Sequence, residues 1–146
     1  MQLNGTIKSG SWEKAIKNEI SNIEVINKAC PMLATVAEEG KARSKEGREA
    51  IKEYMQIFKE KRVQNIILGC THYPIYIPII KEELQYDVNL INTGETVARY
   101  LKENFFKNQN TAKRGTEQIF LTKPTDKFIN IANDILNTKV EILEKT

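Results

Sequence analysis

Ile66-Ile67-Leu68-Gly69-Cys70-Thr71-His72-Tyr73-Pro74 is the stretch from which the fold is read. Its aliphatic run predicts a short buried strand, and that strand stops at a glycine, a thiol, a hydroxyl, the chain's single histidine and a proline. In open α/β sheets the carboxyl ends of the strands face the crevice where ligands bind. Reactive side chains are therefore expected where a ligand would meet them.

Working outward, the pattern alternates. Ser44 is placed to cap the longest helix, on which Ile51, Tyr54, Met55 and Phe58 recur every three or four residues as a core stripe. After the Cys-Thr-His turn a helix opening at Pro78 packs through Ile79, Ile80 and Leu84, and residues 88–91 form the next strand. Thr93-Gly94-Glu95 starts a helix with Val97, Ala98, Leu101 and Phe105 on one face. A strand at 118–121, a helix begun by Thr125-Asp126 and carried by Phe128, Ala132, Ile135 and Leu136, and a strand at 139–143 complete the chain.

Toward the amino end, Ser9-Gly10-Ser11 is a turn signal, and Ser11 is positioned to cap a helix bearing Trp12, Ala15, Ile16 and Ile20. Residues 23–26 read as a short strand. Cys30-Pro31 follows, with one or two helical turns to Glu39 stopped by Gly40. Residues 2–7 leave little room for a full first strand before the turn, so the chain reads as if entered mid-fold. Alternating strands and helices predict an α/β fold with a mostly parallel sheet and helices on both faces.

The 146 residues suit one ordinary domain or two small lobes, with a hydrophobic share of 40% and a charged share of 28%. Twenty-two basic and 19 acidic residues leave a formal charge of +3, mostly interleaved, which does not suggest a nucleic-acid or membrane partner. Lys107, Lys113 and Arg114 flank a polar stretch read as a solvated loop. With no apolar span and no secretory segment, the expected place is the cytoplasm, where Cys30 and Cys70 stay free thiols. Cys70 and His72 supply only two candidate metal ligands, so no metal is expected.

A thiol between a strand end and a helix start can be reached by backbone amides and cationic neighbours, which favour thiolate. Cys70 could then attack an electrophile, or remove and return a proton, and the residues alone leave both open. His72 could assist proton movement or bond a carboxylate, while Thr71 offers a hydroxyl and an amide to the same space. Each also has a plain structural reading, as small buried filling and as a core imidazole. Cys30, without a hydroxyl or imidazole beside it, reads as structural; Thr6, Ser9 and Ser11 could reach an anion near a helix start, and turn and capping chemistry explains Ser9 and Ser11 at least as well.

Leu68-Gly69-Cys70-Thr71-His72-Tyr73-Pro74 resembles the second catalytic motif of the cofactor-independent glutamate racemases. Three more stretches resemble that family in the same order. These are Gly5-Thr6-Ile7-Lys8-Ser9-Gly10 with Trp12-Glu13-Lys14, Ala29-Cys30-Pro31 leading to Glu38-Glu39-Gly40, and Ile91-Asn92-Thr93-Gly94-Glu95-Thr96. Related aspartate racemases typically carry glutamate in place of the motif histidine, so His72 and Tyr73 favour the glutamate branch. Asn92 stands where many relatives have aspartate, and Trp12 where many have tyrosine.

The resemblance implies two facing α/β lobes, with residues 1–92 in the second lobe, incomplete at its start, and 93–146 returning to the first. It implies inversion of glutamate by two cysteines on opposite faces of the α-carbon, without pyridoxal phosphate or metal, supplying D-glutamate for peptidoglycan. Cys70 matches one of these cysteines, and Thr71 and His72 match substrate-holding positions. The Asp-Ser-Gly, Pro-Tyr-Gly and Ala-Cys-Asn-Thr motifs of the family's first lobe do not occur here. The chain is thus expected to be the C-terminal portion of such an enzyme, lacking most of the first lobe and inactive alone. Alternatives are a non-catalytic assembly module that self-associates or pairs with a separate N-terminal half, and a thiol hydrolase with Cys70 as nucleophile and His72 as base.

Overall fold

Gly10, at φ 62°, adopts the left-handed conformation that closes one short helix, α1 (Asn4–Ser9), and opens the next, α2 (Ser11–Glu19). Ser11 makes no capping bond; Gly10 occupies the cap position and Ser11 is the first helical residue. In this computed structural model, residues 1–106, 118–136, 139 and 141–144 are described. The polar stretch around Lys107, Lys113 and Arg114 lies outside them. Two compact units form, Met1–Phe105 and Phe106–Thr146.

In the first unit, Pro31 supplies the fixed φ that starts α3 (Pro31–Glu38), and Gly40 at φ 71° ends the turn that follows. Ser44 caps α4 (Lys45–Glu60) as expected, its side chain accepting from Gly47 N at 3.4 Å. The predicted stripe is the core: Ile51, Tyr54, Met55 and Phe58 are all buried. Strand β1 (Asn65–Leu68) leads through a 3-10 turn (Tyr73–Tyr76) into α5 (Ile77–Leu84), where Ile79, Ile80 and Leu84 are buried. Strand β2 (Asn89–Asn92) runs parallel to β1, with Ile66 opposite Leu90 and Leu68 opposite Asn92. Asn92 then caps α6 (Thr93–Asn104) by accepting from Gly94 N.

The first two residues also pair, and they decide how the unit closes. Gln2 N donates to Lys28 O and Cys30 N to Gln2 O, a parallel bridge of Gln2 with Ala29. On the other side the Met1 ammonium donates to Ile67 O at 3.1 Å and Gly69 N donates to Met1 O. Met1 and Gln2 are thus wedged between the 28–30 segment and the end of β1. Residues 23–26, expected as a strand, form none: among the described residues no backbone–backbone hydrogen bond involves residues 23–27. An extended segment becomes a strand only where a neighbour supplies ladder partners, and these begin at Lys28.

Helix α6 forms where expected but leaves its apolar face open. Val97, Leu101 and Phe105, placed on its apolar face, are exposed, and the helix buries no residue. In the second unit β3 (Gln118–Leu121) pairs parallel with β4 (Glu141–Glu144), and α7 (Asp126–Leu136) lies between them in sequence. Thr125 starts α7, its Oγ1 accepting from Phe128 N, and Ala132 is buried while Phe128 and Leu136 are exposed. Both observed sheets are parallel, as the alternation predicted. Among the described residues no helix is long and apolar enough to cross a membrane.

Ile51 and Val97 sit at opposite extremes of this packing, at 0% and 56% exposure. Denaturant unfolding is expected to show Ile51→Ala lowering stability by about 2–5 kcal/mol, and Val97→Ala changing it by under about 0.5 kcal/mol.

Candidate active site

Residues Gly69 to His72 turn sharply where β1 ends, and the turn is held from below. A Cβ on Gly69 would meet Met1 O at 3.0 Å and Gln2 Cγ at 3.2 Å, so a larger residue there would push on the amino-terminal residues by a few tenths of an ångström. Tyr73 N donates to Cys70 O, closing the turn, and Tyr73 is fully buried with its hydroxyl shared between Cys30 O (2.9 Å) and Gln2 O (3.2 Å). The Tyr76 hydroxyl donates to Leu33 O at 2.8 Å. Burial pushes the Tyr76 phenol up to about 12 and raises that of Tyr73 as well, so both stay protonated donors. Thr93 Oγ1 donates to Leu68 O, fastening the neighbouring strand end.

On this platform Cys70 is half-buried and its Sγ lies 3.5 Å from His72 Nδ1. His72 Nε2 in turn lies 3.2 Å from Oε1 of Glu38, the last residue of α3. Thiol, imidazole and carboxylate therefore form a line. With Nε2 protonated and donating to Glu38, Nδ1 presents its lone pair to the thiol; the reverse tautomer points a proton at sulfur. In either tautomer a ring nitrogen faces the Cys70 sulfur. Thr71 is exposed in the same turn.

Cys70, Thr71 and His72 thus share one turn, and the two-residue spacing does bring the thiol and the imidazole together. Glu38 is the residue of this contact chain to which sequence reasoning assigned no role. Its signal was the Glu38-Glu39 pair closing a helix begun at Pro31, but its meeting with His72 needs the docking of α3 on the 3-10 turn. Cys30 is excluded from this chemistry. It is fully buried, its thiol faces Lys28 O at 3.7 Å, and burial pushes it up to about 11. Ser9 Oγ is occupied by Thr6 O and Ser11 Oγ, in keeping with a turn role. Among the described residues no group of three or more His, Cys, Asp or Glu side chains is arranged so as to hold a metal ion.

The site geometry is thus a parallel α/β unit with a Cys70–His72–Glu38 chain of contacts at the carboxyl end of β1. No family model matches the chain. The glutamate racemase of Thermoanaerobacter sp. is 33% identical over 138 residues, covering 93% of this chain and 52% of that protein. The glutamate racemase of Aquifex aeolicus is 34% identical over 93% of this chain and 50% of that protein. Among solved structures, glutamate racemase from Francisella tularensis in complex with D-glutamate matches with a TM-score of 0.84 and 31% identity, over 97% of this chain and 54% of that one. A glutamate racemase isoform from Bacillus anthracis gives 0.83 and 28%, over 99% and 55%. The chain is related in sequence and fold to the glutamate racemases, which are amino-acid isomerases, and spans about half the length of the relatives it matches.

Two outcomes follow from the thiols. Iodoacetamide at neutral pH is expected to modify Cys70 alone in the native protein and both cysteines in denaturant, as read by peptide mass; native labelling of Cys30 would contradict its burial. Because the Cys30 thiol rises from 9.0 to about 11 on folding, the unfolded chain releases that proton first. Stability therefore falls as pH climbs from about 9 toward 11, and urea unfolding between pH 8 and 10 is expected to show a flatter decline in Cys30→Ala.

Proposed function

We propose that this chain carries one half of a two-base glutamate racemase site. The observation that carries the reading is the Cys70–His72–Glu38 line, with spacings of 3.5 and 3.2 Å. Its relatives are named glutamate racemases, and one of them has been solved with D-glutamate bound. In this proposal the Cys70 thiolate takes the α-proton of glutamate and becomes the thiol, leaving a carbanion, and the reverse step returns it. His72 holds and relays the thiol proton, Glu38 fixes the ring, and the Thr71 hydroxyl and amide bind the substrate. The chemistry is assigned to these side chains, without a cofactor.

Inversion needs a second acid on the opposite face of the α-carbon. The sequence holds only two cysteines, and Cys30 is buried, so the chain supplies one such thiol. Residues 1–92 are assigned to the lobe bearing Cys70 and 93–146 to the return into a facing lobe. The assembled enzyme would work in the cytoplasm, supplying D-glutamate for peptidoglycan. A second reading, an assembly module that self-associates or pairs with a separate N-terminal half, is favoured by the exposed apolar side chains of α6, among them Tyr100 and Leu101.

Incubation of the purified chain with each glutamate enantiomer in deuterium oxide separates the readings. Inversion is expected to be negligible, while deuterium enters the α-carbon of one enantiomer slowly and not at all in Cys70→Ser. Brisk inversion that depends on Cys70 would overturn the half-site assignment. No exchange in the unmodified chain would favour the assembly module.

A further inference from the structure

Ile91-Asn92-Thr93-Gly94-Glu95-Thr96 is a stretch of the sequence that the thiol chemistry leaves unused. It spans the end of β2 and the first turn of α6. Most of its polar groups bond to one another. Asn92 Oδ1 accepts from Gly94 N at 3.1 Å, Asn92 Nδ2 donates to Glu95 Oε1 at 2.9 Å, and Thr96 Oγ1 donates to Asn92 O at 2.9 Å. These bonds close the helix start and hold the backbone on both sides of Thr93. The Thr93 hydroxyl instead leaves the motif and donates to Leu68 O at 3.2 Å.

Leu68 O is the last carbonyl of β1, and the ladder with β2 ends at the pairing of Leu68 with Asn92. The carbonyl belongs to the same planar peptide as Gly69 N, which donates to Met1 O at 3.0 Å. Oxygen and N–H lie on opposite edges of a trans peptide, so partners on both edges hold the plane against rotation about the line joining its α-carbons. Gly69 has no side chain that would restrict the chain at this step. Cys70 comes next, and its own carbonyl accepts from Tyr73 N at 3.1 Å. The thiol is therefore suspended between two anchored peptides.

Cys70 Sγ lies 3.5 Å from His72 Nδ1, and rotation of the Leu68–Gly69 peptide would swing the sulfur relative to the ring. Threonine suits the anchoring role. Its β-branch restricts χ1, which aims the hydroxyl from a backbone that the bonds of Asn92 and Thr96 already fix. Valine has nearly the same shape without the donor.

We propose that Thr93 is a positioning residue for Cys70: its hydroxyl orients the Leu68–Gly69 peptide and so sets the thiol against His72. The inference deepens the racemase reading and rests on it in one respect, that Cys70 and His72 are the reacting pair. It gives Thr93 no contact with substrate.

The test is alkylation of the 146-residue chain by iodoacetamide, followed at Cys70 by peptide mass from about pH 6 to about pH 9. His72→Gln is expected to slow the reaction at neutral pH and to remove the imidazole's titration from the profile. Thr93→Val is expected to move the profile the same way and to slow the neutral-pH rate about fivefold, in line with the loss of one hydrogen bond, while Thr93→Ser keeps the native rate and profile. A profile that depends on His72 but is unchanged in Thr93→Val would overturn the proposal and leave the hydroxyl a stabilising role alone. Thr93→Ser reacting as slowly as Thr93→Val would overturn it too, since the hydroxyl would not be the group responsible. Circular dichroism checks folding, and Thr93→Ala serves if Thr93→Val does not fold; failure of both would likewise assign the hydroxyl to stability and overturn the proposal. A native profile that His72→Gln leaves unchanged would instead overturn the thiol–imidazole pairing, and the racemase reading with it.

Discussion

The first unit depends on the wedging of Met1 and Gln2 between the 28–30 segment and the end of β1. Four backbone hydrogen bonds fix those two residues, and the Tyr73 hydroxyl adds a fifth contact at Gln2 O while also reaching Cys30 O. Each of these groups is buried or partly so, where an unpaired donor or acceptor costs about 1–3 kcal/mol. The contacts therefore act together. Cys30 precedes α3, which ends at Glu38; Tyr73 follows the Cys70–His72 turn. Joining Cys30 to Tyr73 is what sets the carboxylate at one end of the line and the thiol at the other.

This arrangement separates structure from chemistry in the two cysteines. Cys30 lies under the wedge, fully buried, and burial holds its thiol protonated; Cys70 lies above it, half-buried and beside a ring nitrogen. Exposed ion pairs such as Arg48–Glu82 and Lys59–Glu83 link α4 to α5 but contribute little by comparison, since solvent screens them. Precision at the site comes from buried tyrosine hydroxyls and backbone bonds instead. His72 and Glu38 remain partly in water, outside the core.

Much of this was legible in the sequence because it is local. Helical stripes gave α4 and α5 their buried faces, Ser44 and Asn92 announced their helices, and the abrupt end of an aliphatic run located Cys70, Thr71 and His72 on one turn. What was illegible depends on partners distant in sequence. Nothing near Glu38 indicates that its carboxylate meets an imidazole 34 positions away, because the docking of α3 on the 3-10 turn makes that contact. Residues 23–26 carry the composition of a strand, yet strand character belongs to a pair, and there the ladder begins only at Lys28. On α6 the periodicity of Val97, Leu101 and Phe105 correctly identified one apolar face, but periodicity does not say what covers it.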